Sequence, residues 1–445
     1  LIIFNMSNKT IINVSLFIIF FILLIKIKDV FVSFDDYIYL NELFINYEGG
    51  FLRRGLLGQI ALYIFKNFSV SPVTFFSVVF SSANIIFFYL FIKCINKFKS
   101  NIFLYLVLLL SPATLMFNIF DSANFFNSQI FILISILLHC FIALKYFNET
   151  NKYKKYFVFL IIPLLFLNIF QYDPQVITLS SHMLITYIVL SKELQKSYKF
   201  LYSYIFLLIP ILSVILNNGS QEQITAFENM KEIVNYNYSF IINEHPESFS
   251  EIDTKDLRGN LNLKLGAMIK IFGIKFTYNH KVYLFLSIIL AVIFFMFIFG
   301  YFISQKIYFI NTRYKIAIIS FIPLLSLFIF ITDFGRSIHI LLIHLLSFYF
   351  LFKIDKKKEK VFLKKINFFS KSFIVLSIII YCNFWTLSHA SGWVSVFNPS
   401  VPSYSKYSSY TNEFNKIFFN VYYYTDNYII NLPTAEFMKP YLKLE

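Results

Sequence analysis

Charge is scarce in this sequence. Only 14% of its 445 residues are Asp, Glu, Lys or Arg, against 58% hydrophobic, where a soluble domain carries about a quarter charged residues. Mean hydropathy is +0.66. That deficit excludes an ordinary soluble fold of this length. Cysteine is also sparse. Cys94, Cys140 and Cys382 lie in or beside apolar segments, with no CxxC and no Cys/His spacing for zinc, and read as core residues. No Walker loop, HExxH, GxSxG or Rossmann fingerprint is present, which leaves nucleotide-dependent chemistry without support. An internal repeat is missing too, which weakens a transporter built from inverted halves.

What is abundant is apolar sequence in runs near twenty residues, the length at which a helix crosses a bilayer with its backbone hydrogen-bonded internally. The expected fold is therefore all-α, a single polytopic transmembrane domain over 1–445 with about eleven spans. These lie at about 11–31, 72–92, 102–120, 126–144, 156–170, 174–191, 199–217, 282–303, 315–332, 337–353 and 371–388. The first run is too long for a signal-peptide core and has no A-x-A-like site after it, so it is expected to stay as a span. A short amphipathic piece near about 55–67 is not long enough to count as one.

The formal charge of +15 is set by lysine in short links between spans. In a soluble protein it would suggest nucleic acid; here it reads as orientation by the positive-inside rule, with no nucleic-acid partner. Basic links holding Lys93, Lys97, Lys145, Lys152, Lys154, Lys155, Lys192, Lys196, Lys306 and Lys315 alternate with short or acidic ones. The amino terminus is then expected inside and the carboxyl terminus outside. Outer segments fall at about 32–71 and 218–281, with a tail at about 389–445. The middle one mixes acids such as Glu222, Glu228 and Glu232 with apolar residues at helical spacing, as amphipathic helices on the outer surface would. The tail, with Tyr404, Tyr407, Tyr410 and Tyr422, reads as an interfacial aromatic anchor.

Arginine breaks the basic pattern. The chain has five, Arg53, Arg54, Arg258, Arg313 and Arg336, and all but Arg313 fall on the expected outer side. The planar guanidinium fork grips a carboxylate or phosphate with two prongs, which lysine cannot do. An anionic group such as a lipid-linked diphosphate bound at the outer interface explains the placement. Arg–Asp pairs tying loops together, or headgroup contacts, are the competing explanation.

Arg53 and Arg54 stand in Tyr47-Glu48-Gly49-Gly50-Phe51-Leu52-Arg53-Arg54-Gly55-Leu56-Leu57-Gly58. Its glycines permit a tight turn with amides open to an anion. Asp35 and Asp36 follow the first span, where an acid can take a proton from a sugar hydroxyl or remain a solvated loop residue. Asp333-Phe334-Gly335-Arg336-Ser337-Ile338-His339 reads as a tight outer hairpin in which Asp333 pairs with Arg336 or orients His339 as a base. His344 reads as a packing histidine and Asp173, before Pro174, as a helix cap. Asp121, His182 and His389 are weaker candidates, and His139, His182 and His344 are placed deep in spans. No metal site and no cofactor is expected.

The segments Gly49–Gly58 and Asp333–His339, with the overall plan of spans and outer loops, resemble bacterial O-antigen and capsular polysaccharide polymerases. Heavy use of Phe, Ile, Asn, Lys and Tyr, typical of AT-rich coding, agrees with a bacterial source. The resemblance implies polymerisation of undecaprenyl-diphosphate-linked oligosaccharides at the periplasmic face of the inner membrane, by a glycosyltransferase that uses no nucleotide sugar. Arg53, Arg54 and Arg336, with help from Arg258, would hold diphosphate, and Asp333 or His339 would deprotonate the acceptor, with Asp35 or Asp36 as the competing base. A chain-length regulator and a flippase of the same pathway would be partners, beside membrane lipids. Asp35-Asp36 also resembles the first-loop acid of GT-C membrane glycosyltransferases, which is usually Asp-Glu or Glu-Asp. That implies a rival activity, transfer of one sugar from a polyprenyl-phosphate donor. A flippase or transporter of the lipid-linked unit is the third reading.

Overall fold

The structure is a computed structural model that describes residues 8–32, 41–51, 54–98, 102–111, 114–120, 125–194, 199–216, 221–234, 322–324 and 334–351. The expected spans 282–303 and 371–388, nearly all of 315–332, the carboxyl-terminal tail, and Asp35, Asp36, Asp121, Arg53, Arg258, Asp333 and His389 lie outside the described residues.

Every element among the described residues is helical. Helices α1 (Asn8–Val32), α2 (Asn41–Phe44), α3 (Leu56–Phe68) and α4 (Pro72–Ile95) are followed by α5 (Ile102–Leu110), α6 (Leu115–Phe120) and α7 (Gln129–Lys145). Helix α8 (Thr150–Tyr156) runs through a π-helical turn, Phe157–Ile161, into α9 (Ile162–Gln171). Then come α10 (Gln175–Leu194), a 3-10 segment Lys199–Leu207 leading into α11 (Leu208–Leu216), α12 (Gln221–Val234) and α13 (Phe334–Phe350). Among the described residues, three helices are long and apolar enough to cross a membrane: Thr10–Lys28, Pro72–Ile95 and Thr150–Gln171, of 19, 24 and 22 residues.

Local chemistry sets several of these boundaries. Pro72 occupies the first turn of α4, where its missing N–H is no loss. Helix α3 ends where Ser69 turns left-handed (φ 53°) and returns its N–H to the Phe65 carbonyl at 2.9 Å. One expected span is corrected. Within the run at 102–120 the described residues form two helices, Ile102–Leu110 and Leu115–Phe120, with Ser111 outside helix and Thr114 in a turn. Thr114 Oγ1 donates to the Leu108 carbonyl at 2.9 Å across the break.

Helix α7 is apolar around its circumference and buried along most of its length, as a helix enclosed by neighbours must be. Helices α4, α10 and α13 surround it. Outward-facing side chains are apolar as well: Phe17, Phe21, Tyr202, Phe206 and Phe159 stand exposed, a surface that water penalises and lipid accepts. Cys94 and Cys140 are buried free thiols, and Cys140 Sγ donates to the Ser347 carbonyl at 3.2 Å.

The contacts define two ends of the bundle. At one, the start of α3 meets the turn between α9 and α10, where the Arg54 N–H donates to the Phe170 carbonyl at 2.9 Å. At the other, Phe350 packs on Phe91 and Phe98, so α4 and α13 finish together. Lys93, Lys145, Lys152, Lys154 and Lys155 belong to that second end.

Candidate functional site

The described residues between Asn46 and Gly58 are tied down by several hydrogen bonds. Asn46 Nδ2 donates to the Ala226 carbonyl of α12 at 3.0 Å, and Asn46 Oδ1 accepts from the Glu48 N–H at 3.0 Å. Gln59 Oε1 accepts the Tyr47 N–H, Gln223 Nε2 donates to the Phe51 carbonyl, and Gln171 Oε1 accepts the Leu57 N–H. Gln171 Nε2 goes on to Ser128 Oγ at 3.0 Å, joining α3, α9 and the entry to α7. Lys66 and Glu48 pair on the surface.

The glycines serve this closeness. A Cβ on Gly49 would collide with the Glu222–Gln223 backbone, and one on Gly58 with the Leu43 and Ile45 carbonyls. Gly50 has φ +107°. The amides of Tyr47, Glu48, Gly50, Arg54 and Leu57 all donate to protein acceptors, so these five are engaged within the fold rather than open to an anion.

Arg54 sits in the left-handed region at φ 67°, a conformation that costs a non-glycine residue on the order of 1 kcal/mol and persists only when its surroundings impose it. Here they do. Its Nε donates to Asp173 Oδ1 at 2.8 Å, and its guanidinium lies 5.2 Å from the Tyr172 ring centroid. Asp173, read from sequence as a cap, is thus the partner of an arginine 119 residues away. The side chains are 13% and 22% exposed, at the edge of the bundle rather than inside it. Tyr47, which stacks on Phe51 at 5.2 Å, has its phenol pushed up by burial and stays protonated.

Arg336 and His339 form the second part of this end, and here the expected hairpin is corrected. Residues 334–339 are the first turns of α13, so Gly335 lies in helix and Arg336 and His339 share a face, three residues apart. Arg336 is 8% exposed and His339 is fully buried, its ring 4.6 Å from Phe117 and 6.3 Å from Phe87. Helices α4 and α13 run in the same direction, so one turn back from the Phe87–His339 contact brings Asn84 and Arg336 to one level. Ser81 and Ser77 lie about one and two turns further back on α4, and they, Asn118 of α6, and Asn127 and Gln129 at the start of α7 are all buried. Sequence reasoning passed these neutral residues over; the signal was there in Ser77, Ser81 and Asn84, a polar stripe at helical spacing within an apolar helix.

A third polar region lies deeper. His139 Nδ1 and His182 Nδ1 are 2.9 Å apart, and His139 Nε2 is 2.7 Å from the Tyr153 hydroxyl. Tyr153 donates to Thr186 Oγ1 at 3.2 Å, which is 3.0 Å from the Tyr204 hydroxyl. Ser135 Oγ extends the chain to Gln175 Oε1 at 3.2 Å, and Asn168 Nδ2 donates to the same oxygen. His344, the packing histidine of the sequence reading, has Nδ1 on the Ile340 carbonyl at 2.7 Å.

No protein-family model, curated protein or solved structure matches this chain.

Proposed function

We propose that the chain polymerises lipid-linked oligosaccharide repeat units at the Arg54–Arg336 end of the bundle, and that this end faces the periplasm of a bacterial inner membrane. The observation that supports this reading is the placement of arginine: Arg54 and Arg336 share one end, the lysines of α4, α7 and α8 gather at the other, and the lysines on the arginine end, Lys66 and Lys231, are each paired with a glutamate. Lysine marks the cytoplasmic side. Arginine held against that tendency, one of the two nearly buried, suits a diphosphate that must be gripped as its lipid tail stays in the bilayer.

The chemistry needs no nucleotide. The bond between the anomeric carbon and the diphosphate oxygen of one substrate breaks, and a bond to the acceptor hydroxyl oxygen of the next unit forms. Undecaprenyl diphosphate leaves with the electron pair, and arginine stabilises its developing charge. The acceptor proton goes to His339 or Asp333, with Asp35 or Asp36 as the competing base. Arg53 and Arg258 are proposed to assist in holding diphosphate. Replacing Arg336 by Ala is expected to leave an inserted protein whose cells make only single-repeat surface glycan on gels. Normal long chains from that variant would remove Arg336 from the mechanism. If the activity is instead GT-C-type addition of one sugar, loss of the gene deletes one substituent and leaves chain length unchanged.

A second reading is supported by the His139–His182–Tyr153 line, because polar residues deep in a bundle are what a transport path requires. Reconstitution with purified lipid-linked substrate separates the two: an enzyme makes new glycosidic bonds, and a flippase only moves lipid between leaflets.

A further inference from the structure

A buried polar atom without a hydrogen-bond partner is destabilising, so native proteins rarely gather several in one place. On α4, on α6 and at the start of α7, at the end of the bundle that carries Arg336, this chain has six. Ser77 Oγ, Ser81 Oγ, Asn118 Nδ2, Asn127 Nδ2, and both Oε1 and Nε2 of Gln129 are buried with no partner among the described residues. None of the five side chains is more than 6% exposed.

Ring contacts hold them together. Phe80, between the two serines on α4, lies 5.5 Å from both Phe126 and Phe131, which bracket Asn127 and Gln129. Phe117, beside Asn118, touches His339. Other unpartnered atoms, among them Ser181 Oγ, His344 Nε2 and Ser347 Oγ, are scattered over α10 and α13. Two turns further along the bundle Ser135, Asn168 and Gln175 are all bonded, and Asn84 on the same stripe of α4 donates to the Phe80 carbonyl at 2.9 Å.

The unmet groups are neutral, and together they offer both donors and acceptors. An amide that presents C=O and N–H2 side by side pairs with two adjacent hydroxyls, accepting from one and donating to the other. Serine hydroxyls do either. Phenylalanine rings supply the apolar wall against which a sugar's C–H face can lie. An ionised sugar would bring a second charge into a buried region where Arg336 is already matched to the diphosphate, at a cost of several kcal/mol.

We infer that this belt is a sugar subsite selective for an uncharged residue with vicinal hydroxyls, the sugar directly attached to the lipid diphosphate. The inference rests on the reading that Arg336 takes that diphosphate, and the test treats the two separately. The full chain in nanodiscs is titrated with undecaprenyl diphosphate, with the same lipid carrying one neutral hexose, and with the same lipid carrying one hexuronic acid. Binding is followed by native mass spectrometry.

The hexosyl lipid is expected to bind about tenfold more tightly than the bare lipid, and the hexuronosyl lipid no better than the bare one. Gln129→Leu with Asn118→Leu should reduce the hexose advantage to less than about twofold and raise the apparent Tm, because unmet polar groups have been removed. Ser77→Ala with Ser81→Ala, a milder change, should reduce it partially should the first pair fail to fold. Equal binding of hexosyl and bare lipid by the wild-type chain overturns the subsite, as does a hexose advantage that survives both double variants. A raised Tm with no hexose advantage means that water alone fills the belt. Failure of the bare lipid to bind overturns the diphosphate reading first, whatever the hexose does.

Discussion

Two buried polar regions of this bundle use similar residues and differ in degree: around His139 and His182 most polar atoms are bonded, Ser181 Oγ and His344 Nε2 being exceptions, and at the Arg336 end many are not. In the first, donors and acceptors can be assigned in sequence. Thr186 Oγ1 donates to the His182 carbonyl at 3.0 Å and therefore accepts from both Tyr153 and Tyr204. Tyr153, its proton engaged, accepts from His139 Nε2, which leaves His139 Nδ1 to accept from His182 Nδ1. Assigned from the network in this way, both histidines are neutral, and His182 Nε2 faces Ser135 Oγ at 3.5 Å. The chain ties together α7, α8, α10 and the 3-10 segment before α11, so it acts as architecture. In the second region Asn127 Oδ1 accepts the Gln129 N–H at 2.9 Å, and the six atoms without partners tie nothing. Polar groups that do not support the fold need another reason to be buried, and a ligand supplies one.

That contrast breaks most readily at the histidines. Replacing His182 by Leu removes the donor to His139 and strands its Nδ1 in the core, so a loss of about 2–3 kcal/mol is expected. Unfolding in detergent micelles should show it as a lowered apparent Tm. A variant as stable as the wild-type chain would mean that the network carries none of the fold. Thr186→Val is a finer probe. It keeps the shape and removes the atom shared by two phenols, with an expected loss of about 1 kcal/mol, in the range for hydrogen bonds between membrane helices. In a Tyr204→Phe background the same change should cost less, and a double-mutant cycle measures the difference. Strict additivity would show that Tyr204 and Thr186 do not interact.

How much of this was legible in the sequence depends on the range of the interaction. Helices α1, α4, α7, α10 and α13 were readable because apolar length and the proline at α4's start are local signals. The division between α5 and α6 was hidden in a continuous apolar run, and Gly335 suggested a turn where the chain is already helical. The arginines stood out by type, so the end of the bundle that carries them was found. Their surroundings could not be. Arg54 meets Asp173 across 119 residues, and His139 meets His182 across 43, both set by how helices rotate against one another. Gln129, Asn118 and Asn127 escaped because a neutral amide in an apolar run looks like dilution until its burial and its lack of partners are known.

The smallest effect is the most discriminating, because its sign differs between the regions. Ser81→Ala deletes a hydroxyl that is buried and has no partner among the described residues. If that oxygen contributes nothing to the fold, its loss should leave stability unchanged or raise it by up to about 1 kcal/mol, since a methyl group is content where a lone hydroxyl is not. The matching deletion in the bonded network, Ser135→Ala, removes a donor that serves Gln175 and the Ile132 carbonyl and should lower stability by a similar amount. Apparent Tm values for the two alanine variants, taken side by side, then move in opposite directions or Ser81 stays level. A drop at Ser81 equal to that at Ser135 would show that the belt beside Arg336 is as structural as the histidine network, and that its polar groups find partners within the chain.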